Sequence, residues 1–252
     1  MTFRRIRRGK WWSYEIDGHR VAGVTTMIGK AVPKPALIDW SARMSAEWAV
    51  DNIDTIARMD RAAAVDAIKG AANRSKNFAG AKGTAVHGYA QRIAHGDKVQ
   101  IPDELVGYVD GYLSFIEDWQ PETIAVEAAI ANRTRRYAGT FDLLARLRGE
   151  LVSLIDIKTS GSGVWPETCL QIAAYRNAEV MLDADGREVP MPVTDAGHAL
   201  WLGDDGTYEL LPVESGDDIY RAFLHACALA KFMERAKDDL IGLPLSVPEV
   251  IA

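Results

Sequence analysis

The stretch that decides the fold is GTFDLLARLRGELVSLIDIKTS, residues 139–160. Its two apolar runs, TFDLLARL and LVSLIDI, flank an Arg-Gly-Glu turn, and this pattern predicts the two strands of a β-hairpin. Each run carries an acid where a buried strand usually has Val or Ile. These acids are Asp142 and Asp156, and Lys158 follows two residues after the second. Buried charges need partners, so the hairpin is the first candidate for a functional site.

The length of the turn decides whether the two acids meet. A three-residue loop, residues 148–150, pairs Leu147 with Leu151. The same register places Asp142 directly opposite Asp156, with Cβ atoms about 4.5–5.5 Å apart. A two-residue loop would shift the register by one residue and send the acids to opposite faces of the sheet. The predicted juxtaposition therefore depends on the turn.

Two facing carboxylates require a compensating charge. At about 5 Å they repel by roughly 3 kcal/mol at an effective dielectric constant near 20. Lys158 shares a face with Asp156, because side chains alternate along a strand, and it offsets part of this repulsion. A divalent ion that prefers oxygen ligands, Mg²⁺ or Mn²⁺, would offset it fully. A salt-bridge network on a solvated sheet face is the alternative, since D-x-K alone is a short and common pattern.

Glu127 is a third candidate acid. The segment TIAVEAAIA, residues 123–131, alternates as a strand does. This alternation places Glu127 between Ala125 and Ala129 on one face. An acid between small residues leaves space for a ligand, although a solvent-exposed strand position accounts for it as well. The opposite face would be formed by Ile124, Val126, Ala128 and Ile130.

Composition and element order predict a mixed α/β fold with a helical N-terminal part. The 252 residues, 48% of them hydrophobic, suffice for one large domain. Residues 1–121 are expected to be mainly helical after a hairpin around Asp17-Gly18, and residues 122–252 to form the α/β core. A second hairpin is expected at 198–213 and a basic loop at 69–83. Helices are expected at 36–52, 60–72, 83–96, 102–119, 166–182 and 217–239.

Charge and cysteine content limit the function classes. Residues 1–100 carry 17 Lys and Arg against 9 Asp and Glu, whereas residues 101–252 carry 12 against 26. A basic half is compatible with phosphate binding despite the acidic total. The two cysteines, Cys169 and Cys227, are too few for a four-cysteine iron–sulfur cluster. Neither a membrane span nor a leader sequence is expected, which favours the cytoplasm.

Four motifs in order resemble those of the PD-(D/E)xK nuclease superfamily, in particular its RecB-like and phage-exonuclease branch. They are G-T-x-x-H at 83–87, G-x-x-D at 139–142, D-x-K at 156–158 and Q-x-x-x-Y at 171–175. Glu127 lies where that family often has an acid, one strand before G-x-x-D. Asp156 stands where many members have Glu. No helicase P-loop is present.

The resemblance implies a restriction-endonuclease-like core, a mixed sheet flanked by helices, and a role for each motif residue. Lys158 would position or deprotonate the attacking water, and Gln171 and Tyr175 would bind phosphate or support the metal ligands. The implied ligands of Mg²⁺, or alternatively Mn²⁺, are His87, Glu127, Asp142, Asp156 and the Ile157 carbonyl. The implied contacts to nucleic acid are Thr159, Ser160, Arg133, Arg135 and Arg136.

The function implied is a metal-dependent DNA exonuclease, phage-encoded, that acts on DNA ends in recombination, repair or replication within the host-cell cytoplasm. A structure-specific or restriction-like endonuclease shares this chemistry and is not separated by sequence. A non-catalytic DNA-end-binding scaffold is a third alternative, which the complete set of Asp142, Asp156 and Lys158 disfavours. A homo-oligomer and a single-strand annealing protein are candidate partners by analogy with phage exonucleases.

Overall fold

Strand β5 (Tyr137–Leu147) lies at the centre of the sheet in the computed structural model, which describes residues 2–9, 11–235 and 237–245. The strands join into one ten-stranded mixed sheet over these ranges. The other strands are β1 (Phe3–Arg8), β2 (Trp11–Ile16), β3 (His19–Gly23), β4 (Glu122–Asn132), β6 (Leu151–Lys158), β7 (Val180–Leu182), β8 (Glu188–Pro190), β9 (Ala196–Leu202) and β10 (Tyr208–Pro212).

Helices cover both faces of the sheet. One face packs against the first, sixth and seventh helices around Met27, Phe141 and Phe223, and the other packs against the fourth and fifth around Phe115 and Leu200. The helices are α1 (Val24–Ala31), α2 (Pro35–Asp51), α3 (Ile53–Ile56), α4 (Arg61–Ala94), α5 (Val106–Trp119), α6 (Glu167–Arg176), α7 (Asp217–Met233) and α8 (Lys237–Leu240), with a 3₁₀ turn at Asp103–Leu105. The chain is therefore mixed α/β, as the sequence predicts.

The sheet forks along one edge of β5. At its start β5 pairs in parallel with β3, through Ala22↔Tyr137 and Gly23↔Ala138. At its end it pairs antiparallel with β6, from Leu143↔Ile155 to Leu147↔Leu151. On that edge, no strand within the described ranges pairs with residues 139–142. The predicted three-residue loop and its Leu147–Leu151 register are confirmed.

Helix α4 corrects the largest error of the sequence prediction. Residues 69–83 were expected to form a basic loop because they contain Gly and Asn, but they lie inside one 34-residue helix. Two features outweigh the glycines. The segment is rich in Ala, Lys and Arg, which favour helix, and Asp60 caps the start of the whole helix α4. The Asp60 carboxylate accepts from the main-chain N–H groups of Ala62 at 2.9 Å and Ala63 at 3.0 Å.

Three smaller expectations about element boundaries were also wrong. The helix expected at 166–182 ends at Arg176, because the Asn177 side chain bonds the Ala173 carbonyl at 2.9 Å and the chain then enters β7. The last expected helix, 217–239, breaks after Met233. The hairpin around Asp17-Gly18 was expected to span residues 11–28, but its second strand ends at Gly23 and helix α1 follows. That turn itself is a tight hairpin with φ of 52° and 76°, as predicted.

Within the described ranges, we found no helix that combines the length and the apolar character needed to cross a membrane.

Helix α5 packs directly on the turn between β9 and β10, and this contact yields a stability prediction. A Cβ atom at Gly107 would overlap the main-chain carbonyl of Asp204, which cannot move aside as a flexible side chain would. We expect Gly107→Ala to lower the free energy of unfolding by about 2–3 kcal/mol. Gly80→Ala is the control, because that helical glycine has open space around it, and it should raise stability by roughly 0.5–1 kcal/mol. Urea unfolding followed by circular dichroism measures both, and equal effects would contradict the packing explanation.

Candidate metal centre

Asp142 lies at the fork of the sheet. The β5–β6 ladder ends at the Leu143–Ile155 pair, and Asp142 is the residue of β5 that directly precedes Leu143. Instead of facing Asp156 across a regular rung, the Asp142 carboxylate accepts a hydrogen bond from the main-chain N–H of Ile157 at 2.6 Å. This contact fixes one carboxylate oxygen, Oδ2, while the other, Oδ1, lies 3.1 Å from His87 Nδ1.

Strands β4 and β5 share an irregular rung at Glu127 and Asp142. The pairs on either side are Val126↔Leu143 and Ala128↔Phe141. Val126 packs against the α4–α5 core, whereas Ala128 packs against the core under α1, α6 and α7.

The alternation of side chains therefore reverses at this rung, where Glu127 has a φ of 48°, in the left-handed region. The expected faces of β4 are consequently wrong, because the prediction assumed an uninterrupted strand. Glu127 does not sit between Ala125 and Ala129 on one face, and Val126 and Ala128 do not share the other. The reversal brings Glu127 beside the acid of the neighbouring strand.

Helix α4 supplies the third member of this group. The His87 Nδ1 atom lies 3.1 Å from Asp142 Oδ1 and 3.9 Å from Glu127 Oε1. One ligand atom from each of the three residues can be chosen so that all lie within 4.8 Å of one another. Each side chain is partly exposed, so an ion could reach them. The structure thus brings together three residues that the resemblance names as metal ligands.

Asp156 belongs to a second, adjoining group, in which its own side chain is buried whereas Lys158 and Gln171 are partly exposed. Its Oδ1 accepts from Gln171 Nε2 at 2.7 Å, and its Oδ2 forms an ion pair with Lys158 Nζ. Lys158 also donates to Gln171 Oε1 at 3.4 Å. Lys158 and Asp156 therefore share a face, as expected. Asp156 is not a member of the three-residue group, so its part as a ligand, like that of the Ile157 carbonyl, stays a prediction.

Tyr175 contacts this second group through the side chain of Gln171. Its hydroxyl accepts from Gln171 Nε2 at 3.3 Å, and its ring is buried. A Cβ atom at Gly139 would lie 2.6 Å from the ring, so only glycine leaves room for it. The Gly139 and Tyr175 positions of two separate motifs thus pack on each other. Of the two roles predicted for Tyr175, burial favours support of the acids over contact with phosphate.

Burial and mutual charge determine the protonation of the first group. Burial disfavours the charged imidazole of His87, but nearby carboxylates, Asp142 foremost, outweigh it and raise the pKa to about 9. Burial and the Asp142 charge raise the pKa of Glu127 to about 7, although His87 and Arg5 act in the opposite direction. Burial would also raise the pKa of Asp142, but His87 and Lys158 lower it below the usual range. Asp142 therefore keeps its negative charge.

In the second group the pKa values of both Asp156 and Lys158 are raised. Burial raises the pKa of Asp156 to about 6, even though Lys158 acts to lower it. Burial opposes the charge on Lys158, but Asp156 and Asp142 outweigh it and raise the pKa of the ammonium group above its usual value. Lys158 is thus a fixed positive charge at neutral pH.

The residues predicted to bind nucleic acid lie in two separate parts of the structure. Thr159 and Ser160 follow Lys158 directly, and Thr159 Oγ1 lies 3.2 Å from where a Cβ of Gly83 would be, so the loop after β6 touches α4. The Ser160 carbonyl accepts from Trp201 Nε1 at 2.8 Å. The other three residues, Arg133, Arg135 and Arg136, lie in the β4–β5 turn.

That turn is remote from the metal group. It ends six residues before Asp142 on β5, which corresponds to roughly 20 Å. The Arg133 guanidinium pairs with Glu188, and the Arg133 main-chain N–H donates to Glu179 at 2.9 Å. The Arg135 main-chain N–H donates to Asn132 Oδ1 at 2.7 Å. Their contacts to phosphate stay a prediction.

Sequence reasoning missed the contribution of the N-terminal hairpin. Arg5 donates from Nη1 to the main-chain carbonyl of Glu127 at 2.8 Å, and the Tyr14 hydroxyl lies 2.9 Å from Thr140 Oγ1. In the sequence, Arg5 is only one of several basic residues near the start of the chain, in FRRIRR at residues 3–8. No local signal marks it, because the contact joins residues 122 positions apart.

The donor set of the three-residue group fits a divalent cation. Two carboxylate oxygens and one imidazole nitrogen within 4.8 Å can occupy neighbouring positions around one ion. Carboxylates suit Mg²⁺ and Mn²⁺, whereas imidazole is a ligand preferred by transition-metal ions over Mg²⁺. Comparison with protein-family models and with curated proteins found no match to this chain.

Proposed function

We propose that the chain is a metal-dependent deoxyribonuclease of the PD-(D/E)xK type, with a restriction-endonuclease-like core, that hydrolyses DNA from its ends. The observation that carries this proposal is the convergence of His87, Glu127 and Asp142 beside the Asp156–Lys158 ion pair. These residues come from helix α4 and from three consecutive strands that begin 28 residues after it, at Glu122. An incidental surface salt bridge needs neither the fork of the sheet nor the left-handed Glu127.

His87, Glu127 and Asp142 would hold Mg²⁺ or Mn²⁺. When bound, such an ion polarises the scissile phosphate and lowers the pKa of a coordinated water. His87 ligates only as neutral imidazole, so it releases a proton on binding. The carboxylate of Asp142, whose pKa is below the usual range, is ready to bind without losing a proton.

Lys158 would act as an electrostatic stabiliser. Its pKa is raised by Asp156 and Asp142, so it retains its proton and is poorly suited to accept another from water. Its ammonium group is held between Asp156 and Gln171, which fixes its position before substrate binds. A pre-oriented positive charge stabilises the extra negative charge of the pentavalent phosphorane.

The preference for DNA ends rests on the resemblance to stand-alone phage exonucleases, and a direct assay separates the alternatives. We would incubate end-labelled linear duplex and closed circular DNA with the protein in Mg²⁺, in Mn²⁺ and in EDTA. We expect loss of the linear DNA only, in either metal and not in EDTA, and the label that disappears first gives the polarity.

Other outcomes of this assay assign a different function. Cutting of the circle would indicate an endonuclease. DNA binding without cleavage would indicate an end-binding scaffold, the one alternative outside the enzyme class. Neither binding nor cleavage, in a protein that is folded by circular dichroism, would overturn the proposal.

A further inference from the structure

The first hairpin touches the irregular rung of the sheet through two side chains. Arg5 Nη1 donates to the Glu127 carbonyl at 2.8 Å and lies 3.4 Å from Thr140 Oγ1. Tyr14, which faces Arg5 across the β1–β2 ladder, places its hydroxyl 2.9 Å from the same Thr140 oxygen. The hairpin therefore contacts both β4 and β5 close to the candidate metal ligands Glu127 and Asp142.

The main chain of Glu127 needs a contact like the Arg5 hydrogen bond to keep its conformation. A residue with a side chain is rarely left-handed inside a strand, and it stays so only when its surroundings enforce it. The regular β4–β5 pairing is interrupted at this residue, so its carbonyl requires a donor from elsewhere. Arg5 provides that donor. Since the alternation of side chains reverses here, the left-handed conformation decides whether the Glu127 carboxylate points toward His87 and Asp142.

Arg5 is itself held in place. Its guanidinium carbon lies 4.3 Å from the centre of the Trp12 ring, within the range of a cation–π contact. Arg7, on the next rung of the same face, lies 5.6 Å from that ring. Among the described residues, the contacts of Arg7 stay within the hairpin, with Trp12 and with the Gly9 carbonyl. Arg7 is therefore a matched control for Arg5.

We propose that Arg5 is a positioning residue of the metal centre. It holds the main chain of Glu127 left-handed and so aims a carboxylate at the ion, while Trp12 keeps its guanidinium in place. Arg5 is not one of the three candidate ligands of the ion. The inference rests on the proposed metal-dependent function and makes the N-terminal hairpin part of the site.

The test measures Mn²⁺ affinity of the full chain by isothermal titration calorimetry and by electron paramagnetic resonance, without DNA. We expect Arg5→Gln to weaken binding about 10–100-fold, which is the usual effect of removing a group that orients a ligand. Arg5→Lys, which keeps the charge and a donor, should recover part of the loss. Arg7→Gln should stay within about twofold of the wild type.

A double-mutant cycle shows whether Arg5 acts through Glu127. If it does, Arg5→Gln should add little to the loss caused by Glu127→Gln. Should Arg5→Gln fail to fold, Trp12→Leu loosens the same guanidinium and should weaken Mn²⁺ binding to a smaller extent, again not additively with Glu127→Gln.

The outcomes separate the two proposals. A folded wild-type protein that binds no Mn²⁺ would overturn the proposed metal-dependent function itself. Wild-type binding with equal affinities for Arg5→Gln and Arg7→Gln would overturn the positioning role alone, and fully additive losses with Glu127→Gln would do the same.

Discussion

Replacement of Lys158 by alanine is expected to reduce DNA cleavage by about 10²–10³-fold and to leave Mn²⁺ affinity within about threefold of the wild type. Lys158 lies outside the three-residue group of candidate ligands, so ion binding should persist without it. Its ammonium group is fixed by Asp156 and Gln171, and its loss removes a charge that stabilises the phosphorane. Single-turnover cleavage of labelled linear duplex measures the first effect, and calorimetry measures the second.

The alternative is that Lys158 only neutralises Asp156. Burial already raises the pKa of Asp156 to about 6, so without the lysine this acid can take up a proton and the fold can persist. Under that alternative Lys158→Ala would cleave at nearly the wild-type rate and differ mainly in stability. Lys76→Ala, at an exposed position of α4, controls for general loss of positive charge. Equal cleavage by the two variants would exclude a catalytic role for Lys158.

Local sequence patterns predicted the centre of the fold because turn chemistry and alternation act over a few residues. The Arg148-Gly149-Glu150 loop carries two left-handed residues, with φ of 46° and 74°, and it set the register of β5 and β6 as expected. Lys158 follows from the alternation along β6, whereas the predicted pairing of Asp142 with Asp156 is wrong, because the ladder ends at Leu143–Ile155 and Asp142 bonds the Ile157 N–H instead. The motif spacing then led to His87 and Gln171, which the structure places beside them.

The features that could not be predicted depend on distant contacts. Glu127 breaks the strand alternation, and a periodicity argument assumes that no residue does so. The Arg5 contact with Glu127 requires the β1–β3 strands to dock on β5, which no local pattern indicates. The sequence predicts two helices where α4 is one, because Gly and Asn disfavour helix, whereas its capped start and Ala-rich sequence sustain 34 helical residues.

Replacement of Asp142 by asparagine should have the broadest effect, because this residue joins both halves of the site. Asparagine keeps the size and an acceptor for the Ile157 N–H, so the fork of the sheet should survive. It removes the charge that a divalent ion requires and that raises the pKa of His87. We expect Mn²⁺ binding to fall below detection at millimolar ion and cleavage to fall about 10³-fold or more.

Thermal unfolding measures this effect without DNA. An ion that binds only the folded state stabilises it by about 2.7 kcal/mol at a hundredfold excess over Kd, so the wild type should melt higher in Mn²⁺ than in EDTA. Asp142→Asn should melt at the same temperature in both. Asp66→Asn, an exposed acid of α4, should keep the wild-type difference.

The two substitutions together distinguish ligand from stabiliser. Loss of Mn²⁺ stabilisation in Asp142→Asn, with its retention in Lys158→Ala, assigns ion binding to the group of His87, Glu127 and Asp142 and charge stabilisation to Lys158. If Asp142→Asn retained the Mn²⁺-dependent increase in melting temperature, the ion would bind elsewhere. The contact of His87 with Asp142 would then be a partly exposed ion pair that stabilises the fork of the sheet, and the proposed chemistry would lose its metal.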